Sequence, residues 1–249
     1  MKNRLRIAKK GISIVIPAYN EERFLPATLD SVNAARKHFE MSSGFPSEVV
    51  VVNNASTDLT EKVALAHGAL TIRHSVRNIS AVRNAGIKKA KYRLVVTIDA
   101  DCFLPIDALI KIWNFMSDES YIGGALGVKV LSKKLFTKIA APLVQALVFR
   151  ISGIYGAMFF FWKDSALEIG GFSEDRLVAE DSAFAIALKN HGQKKGKKFG
   201  RLKSVQIETL DRKEVGLGTI LPAVYQVLRG FAGARQRPED LKYWYDPKR

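Results

Sequence analysis

The chain contains a single cysteine, Cys102, among its 249 residues. One thiol excludes an intrachain disulfide framework and a cysteine-based zinc site, as expected of a reducing compartment. A secretory signal is also missing, because the first apolar run spans only residues 12–17 and no small-residue cleavage site follows it. We therefore expect a cytoplasmic protein whose first apolar run is a strand.

Acidic residues are scarce relative to basic ones. The chain has 24 Asp and Glu against 39 Lys and Arg, which gives a net charge of +15. This excess predicts an anionic partner, which could be nucleic acid, acidic lipid or a phosphorylated substrate. Charge does not choose among these partners, but a hydrophobic content of 47% is sufficient for a substantial core.

Both common glycine-rich phosphate loops are absent. The sequence has no G-x-x-x-x-G-K-[ST], and no complete G-x-G-x-x-G follows a predicted strand. A bound nucleotide would therefore have to be held by side chains and a metal ion.

The first half alternates apolar strands with helices. Continuous apolar strands between helices predict a doubly wound α/β fold, in which helices cover both faces of a parallel sheet. The predicted strands are residues 12–16, 48–52, 69–73 and 93–98, and the predicted helices are residues 21–39, 61–67, 80–89 and 106–116.

Two carboxylates end the fourth predicted strand. Asp99 and Asp101 are separated by one small residue, directly after a β-branched run. Ligands of open α/β sheets bind at the carboxyl ends of the strands. Repulsion between two neighbouring carboxylates is offset most simply by a divalent cation, and Mg²⁺ or Mn²⁺ commonly bridges carboxylates to substrate phosphates. The pair therefore predicts a metal site.

The pattern changes after residue 117. We predict a strand at residues 122–131, an extended aromatic segment at 156–162, a turn at 170–172 and a helix at 179–190. Residues 139–162 carry one charge, Arg150, and are long enough to cross a membrane. We expect no crossing, because a charge near the centre of a span costs about 2.5–3.5 kcal/mol.

The apolar segments at residues 135–152, which overlaps the one above, and 217–231 predict a surface that lies on a membrane. Basic residues would strengthen this binding because they attract anionic lipid. A dimer interface beside a solvated basic loop explains the same pattern equally well. The basic residues are Lys2, Arg4, Arg6, Lys9, Lys10, Lys194, Lys195, Lys197, Lys198, Arg201 and Lys203.

Six short motifs occur in one order along the chain. They are SIVIPAYNE (13–21), VVNNASTD (51–58), RNAG (83–86), DAD (99–101), GGF (170–172) and ED (180–181). Together they resemble the landmarks of family 2 inverting glycosyltransferases of the GT-A fold, over residues 11–192. An ordered series of six is far more specific than any one of its members.

The resemblance implies a role for each motif. One residue, Asp101, would bind Mg²⁺ or Mn²⁺ directly, and Asp99 would contact ribose or metal-bound water. A general base, Asp181, would take the proton of an acceptor hydroxyl during a single inverting displacement. The residues implied in binding the nucleotide are Pro17, Ala18, Tyr19, Glu21, Asn53 and Arg83, and those implied on the acceptor side are Gly171, Phe172 and Glu180.

The resemblance also implies a domain plan. A GT-A domain would span residues 1–212, with a nucleotide-binding half at 11–117 and an acceptor-binding half at 118–212, before a C-terminal helical extension at 213–249. A membrane span between the two halves would separate Asp101 from Asp181, which is a further argument against one.

Two departures from the family pattern refine the expectation. Asn53 stands where an aspartate is frequent, and its amide suits uracil or guanine, with uridine diphosphate slightly favoured. The Q-x-x-R-W signature of processive members has Gly230 in place of tryptophan, which argues for a non-processive enzyme. The acceptor would be a lipid, saccharide or small molecule.

Two other functions fit parts of the sequence. The net charge is compatible with a nucleic-acid-binding protein, but the basic stretch GQKKGKKFG lacks interleaved aromatic residues. A nucleotidyltransferase shares the α/β layout and an acidic metal site. Nucleotidyltransferases usually bind the triphosphate through a basic glycine-rich loop after the first strand. At that place this chain has the acidic sequence PAYNEE.

Overall fold

A single sheet of eight strands organises the computed structural model, which describes residues 9–132, 158–176 and 180–210. The strands are β1 (Lys9–Ala18), β2 (Ser47–Asn53), β3 (Leu70–Arg73), β4 (Tyr92–Thr97), β5 (Cys102–Phe103), β6 (Tyr121–Leu131), β7 (Met158–Trp162) and β8 (Lys198–Leu210). The helices of this part of the chain are α1 (Leu25–Ser43), α2 (Thr60–Ala66), α3 (Ile79–Lys89), α4 (Ala108–Met116), α5 (Lys163–Glu168) and α6 (Glu180–Lys194).

The first four strands form the parallel half of the sheet, in the order β3-β2-β1-β4. The register aligns Val15 of β1 with Val50 of β2 and Thr97 of β4. The chain order reverses between β1 and β4, and ligands of such sheets bind in the crevice at this reversal. The predicted doubly wound half is confirmed, and the loops after β1 and β4 meet beside the crevice.

The second half of the sheet is mixed. Strand β7 runs antiparallel to both β4 and β6, β8 runs parallel to β6, and β5 closes the sheet antiparallel to β8. Four of the seven pairings are thus parallel, in agreement with a mostly parallel sheet.

Strand β8 was not predicted, because its lysines and glycines suggested a solvated loop. Helix α6 ends at Lys194, a turn follows through Gly196 at φ 68°, and the strand starts at Lys198. Its buried anchors are Val205 and Ile207, so its lysines lie on exposed positions of a paired strand. The interpretation of the whole basic stretch as a loop was therefore wrong.

Alternate side chains of β1 build the core on both faces of the sheet. Ile14 packs with α1, α4 and Phe160 of β7 on one face, whereas Val15 packs on the other with α3, α6, Phe159 and Phe161. Burial on both faces explains why these strands are apolar at every position rather than at every second one.

The last residues of the apolar segment 139–162 form β7, a strand buried in the core. No helix within the described ranges is long and apolar enough to cross a membrane. The segments 135–152 and 217–231 and the predicted C-terminal extension lie outside the described residues, so the predicted membrane surface and helical extension stay predictions.

Candidate active site

Helix α3 carries the RNAG motif against the parallel sheet. Its N-cap, Asn78, accepts the amide of Ala81 at 3.0 Å through its side-chain oxygen. A methyl group at Gly86 would lie 2.3 Å from Cγ1 of Val15, so glycine is needed for the helix to approach β1 this closely. This close packing brings Arg83, one turn earlier, into the buried interior.

Arg83 joins the two halves of the sheet. Its side chain is 4% exposed, yet it pairs with three carboxylates. Nη2 donates to Oδ1 of Asp99 at 3.0 Å, and Nη1 donates to Oε1 of Glu180 at 3.0 Å and to Oδ1 of Asp181 at 2.7 Å. We call these four residues the Arg83 cluster. It brings the carboxyl end of β4 and the start of α6 to one point.

The charges of the Arg83 cluster do not cancel, because three carboxylates share one cation. Burial opposes the charged form of Arg83, but Asp181, Asp99 and Glu180 together raise its pKa above the ordinary value. Burial raises the pKa of Asp181 to about 8, with Arg83 opposing the rise and Glu180 and Asp99 adding to it. Near neutral pH, Asp181 is therefore poised between its two protonation states.

The turn between Asp99 and Asp101 is fixed from below by α1. The hydroxyl of Thr28 donates to the carbonyl oxygen of Ala100 at 2.8 Å, and Ala100 itself is buried. The carboxylate of Asp99 stays 41% exposed.

Burial raises the pKa of the Cys102 thiol, which donates to Oδ1 of Asp101 at 3.6 Å. Cys102 is thus a packed thiol rather than a nucleophile.

The two aspartates fit a metal that is shared with a substrate. In the part of the chain that the structure describes, no three His, Cys, Asp or Glu side chains converge on a point that could hold a metal ion. Mg²⁺ and Mn²⁺ need no such cage when one or two carboxylates act together with substrate phosphates and water. Asp99 already accepts from Arg83, so a metal at Asp99 would compete with the guanidinium for that oxygen, and direct ligation by Asp101 stays the prediction.

The loops after β1 and β2 are tied to each other. The amide of Asn20 donates to Oγ of Ser56 at 3.0 Å, and Oδ1 of Asn20 accepts the amide of Thr57 at 2.8 Å. The amide of Glu21 donates to Oγ1 of Thr60 at 2.8 Å. These bonds make one rigid rim at the carboxyl ends of the two strands, on the side of the crevice where the nucleotide was expected.

The residues implied in nucleotide binding differ in how they are placed. Pro17 and Ala18 are buried in β1, in register with Val52 and Asn53. Asn53 is also buried, and its amide bonds within the protein: Oδ1 accepts from the amide of Ser56 at 2.9 Å, and Nδ2 donates to Glu61 at 3.4 Å. A base contact through Asn53 would require one of these bonds to be shared or exchanged.

The guanidinium of Arg83 is held by three carboxylates, and its contact with the base or diphosphate, which the resemblance implies, stays a prediction. An exposed guanidinium at the same sheet edge belongs to Arg77, which sequence reasoning missed. It lies 4.6 Å over the ring of Tyr19 and donates to the Tyr19 hydroxyl at 2.5 Å. Within the described residues Arg77 has no carboxylate partner, and its position before the cap of α3 was the only signal in the sequence.

The predicted turn at 170–172 is confirmed, but Phe172 is a core residue. Its side chain is 1% exposed and stacks on Phe184 of α6 with ring centroids 4.0 Å apart and planes 10° from parallel. Gly171 adopts φ +78° beneath the side chain of Asn84. The Phe172 side chain is therefore packed in the core, and Glu180 lies at the Arg83 cluster. The predicted acceptor-side roles of Gly171, Phe172 and Glu180 stay predictions.

The family model described as "Glycosyl transferase family 2" matches residues 13–168. Because this match spans more than half of the chain, the protein belongs to that family. The mouse dolichyl-phosphate beta-glucosyltransferase is 29% identical over 162 residues, which cover 61% of this chain and 49% of the relative. The chain thus matches about half the length of that relative.

Solved structures show that the fold is GT-A. The mannosyltransferase PcManGT of Pyrobaculum calidifontis, in complex with GDP-Man and Mn²⁺, aligns with a TM-score of 0.66 at 19% identity over 93% of this chain and 67% of its own. Glucosyl-3-phosphoglycerate synthase of Mycobacterium tuberculosis, in complex with Mn²⁺, UDP and glucosyl-3-phosphoglycerate, aligns with a TM-score of 0.62 at 16% identity over 93% of this chain and 82% of its own.

Proposed function

We propose that the protein transfers a sugar from a nucleotide-diphosphate sugar to an acceptor, with inversion at the anomeric carbon and without processivity. The observation that carries the proposal is the Arg83 cluster, in which one buried guanidinium holds Asp99 of the nucleotide-binding half and Asp181 of the other half at 3.0 and 2.7 Å. A donor bound at the strand ends and an acceptor activated by Asp181 would meet in one cleft. Family membership favours this hypothesis over a nucleic-acid-binding protein or a nucleotidyltransferase.

The donor would bind along the rim formed by the loops after β1 and β2. Asp101, with Asp99 beside it, would hold Mg²⁺ or Mn²⁺ against the diphosphate, and the bound metal would neutralise the charge that grows on the leaving group. Two of the solved neighbours support this metal: PcManGT is in complex with GDP-Man and Mn²⁺, and the synthase is in complex with Mn²⁺ and UDP. A uridine diphosphate sugar is the first donor to test and a guanosine diphosphate sugar the second.

Asp181 would act as the general base. A base works best when its pKa lies near the working pH, and burial raises the pKa of Asp181 to about 8. Arg83 orients this carboxylate through a 2.7 Å bond and leaves its second oxygen to receive a proton from the acceptor. Because the acceptor oxygen would attack opposite the leaving diphosphate, a single displacement inverts the configuration.

The acceptor could instead be a lipid phosphate, as the name of the mouse relative suggests for that protein. A phosphate monoester has its second pKa near about 6, so it is already anionic at neutral pH and needs no general base. The raised pKa of Asp181 favours a hydroxyl acceptor, and the effect of removing Asp181 discriminates between the two. A lipid acceptor would also be consistent with the net charge of +15, because a basic protein is attracted to the surface of an anionic membrane.

A thermal-shift screen of nucleotide diphosphates with and without Mn²⁺ tests the donor site. We expect one nucleotide to stabilise the protein only when Mn²⁺ is present, and Asp101→Ala to remove that stabilisation. Glu119→Gln is the matched control, because Glu119 is an exposed carboxylate in the turn before β6. This turn lies at the amino end of β6, whereas the proposed site lies at the carboxyl ends of the strands. Stabilisation that persists in Asp101→Ala, or none in the wild type, contradicts the proposal.

A further inference from the structure

Asn84 follows Arg83 on α3 and also reaches into the second half of the protein. Its buried amide bonds to both backbone groups of Phe172: Oδ1 accepts the amide at 2.8 Å, and Nδ2 donates to the carbonyl oxygen at 2.9 Å. Nδ2 also donates to Oε1 of Glu174 at 2.9 Å. The side chain thereby pairs with the turn as a neighbouring strand would.

The turn is shaped to receive this side chain. Gly170 and Gly171 both adopt positive φ, at 83° and 78°. A methyl group at Gly171 would lie 2.3 Å from Oδ1 of Asn84, whereas a methyl group at Gly170 would meet nothing within 4 Å. Backbone conformation therefore requires glycine at both positions, but only Gly171 is also required by Asn84.

A path of packed groups connects this contact to the proposed base. Phe172, held by Asn84, stacks on Phe184 at 4.0 Å, and Phe184 lies on α6 one turn after Asp181. The side chain of Asn78, at the start of α3, holds the same turn by donating to the carbonyl oxygen of Glu174 at 2.7 Å. Helix α3 thus fixes both the turn before α6 and, through Arg83, the acidic first residues of α6.

We propose that Asn84 is a positioning residue, which sets the turn at 170–176 so that α6 delivers Asp181 to its place in the Arg83 cluster. The inference deepens the proposed function and rests on it. Asn84 touches neither the carboxylates of the Arg83 cluster nor the rim of the nucleotide site, so its loss should impair transfer while nucleotide binding survives.

The first test compares Asn84→Ala and Asn84→Asp with the wild type. A small misplacement of a reacting group costs up to about 100-fold, so we expect kcat for sugar transfer to fall by about 10- to 100-fold. The KM for the donor and the stabilisation by nucleotide with Mn²⁺ should stay within about twofold, since the donor contacts are untouched. Asn84→Asp keeps the acceptor atom for the Phe172 amide and serves if the alanine variant does not fold. Unchanged kcat, or equal losses in kcat and nucleotide affinity, overturns the proposal.

The second test is a double-mutant cycle between the two sides of the contact. In the wild type, Gly171→Ala should lower kcat more than Gly170→Ala, because only the former meets Asn84. In the Asn84→Ala background the two glycine variants should become equivalent, since only the strain of positive φ remains. A difference that persists in that background shows that Asn84 does not set the turn.

Hydrogen exchange separates this inference from the proposed function. Asn84→Ala should speed exchange in peptides that cover residues 170–188 and leave those that cover β1 and β2 unchanged. A wild type without transfer activity refutes the proposed function alone. If Asn84→Ala changes the exchange rate equally in both sets of peptides, or in neither, the role of Asn84 is refuted, whatever the activity.

Discussion

Replacing Arg83 with alanine should destabilise the protein more than any surface charge change, because it leaves Asp99, Glu180 and Asp181 without their shared cation. Removing one partner of a buried ion pair costs about 3–5 kcal/mol. Arg83 is 4% exposed and its bonds to the three carboxylates measure 2.7 to 3.0 Å, but the carboxylates are 14–41% exposed and partly solvated, so the upper end of this range is a ceiling. With about 2–4 °C lost per kcal/mol in a protein of this size, the melting temperature should fall by about 6–20 °C at pH 8.

Arg73→Ala is the matched control for this prediction. Like Arg83, Arg73 bonds to a carboxylate through two of its nitrogens. Its single partner is Glu61, and its side chain is 79% exposed. Water and salt screen such a pair, so its removal should leave the melting temperature close to that of the wild type. The assay is thermal unfolding followed by circular dichroism at pH 8 and pH 5. The deficit of Arg83→Ala should shrink at pH 5, because Asp181, whose pKa burial raises to about 8, is then protonated and no longer repels the other carboxylates. Equal melting of the two variants at pH 8 would refute the role given to Arg83.

Four further predictions concern single groups. Asp181→Asn should lower kcat for a hydroxyl acceptor by about 100- to 10,000-fold while nucleotide binding, measured by thermal shift, is retained; for a phosphate acceptor the loss should be far smaller. Wild-type kcat/KM should rise with pH through about 8, the pKa to which burial raises Asp181, because the base must first lose its proton. The folded chain holds that proton at pH values where the unfolded chain has released it. The contribution of Asp181 to stability is therefore present at low pH and lost as pH rises to about 8. In urea titrations, the free energy of unfolding of Asp181→Asn should lack this decrease with pH. Gly86→Ala, which ordinary helix propensity would make stabilising, should instead cost about 1–3 kcal/mol in urea unfolding, because its methyl group would meet Val15 at 2.3 Å.

The parallel half of the fold was predictable because its strands are buried on both faces. Short continuous runs of Val and Ile favour strands that are covered on both faces, and the predicted strand at 48–52 differs from β2 (Ser47–Asn53) by one residue at each end. Strand β8 escaped prediction because its pairing with β6 is decided by tertiary contact. The strand begins inside the basic stretch GQKKGKKFG, whose lysines and glycines favour a loop.

The acidic turn was predictable from its place at a strand end, but the partners of Arg83 were not. The carboxylates that Arg83 holds lie 16, 97 and 98 residues away in the sequence. Only the folded chain shows that the cation of the RNAG motif is neutralised within the protein. The same holds for Phe172, whose burial against Phe184 has no local signature.

The stereochemistry of the first product tests the central claim most directly. If water takes the place of the acceptor, the donor is hydrolysed to a free sugar, so the sugar nucleotide that stabilises the protein in the thermal screen is incubated with enzyme and Mn²⁺ in an NMR tube. The first free sugar released from an α-linked donor should have the β configuration before mutarotation, and its release should stop in Asp101→Ala. An α-configured first product, or release that persists in Asp101→Ala, would contradict the account.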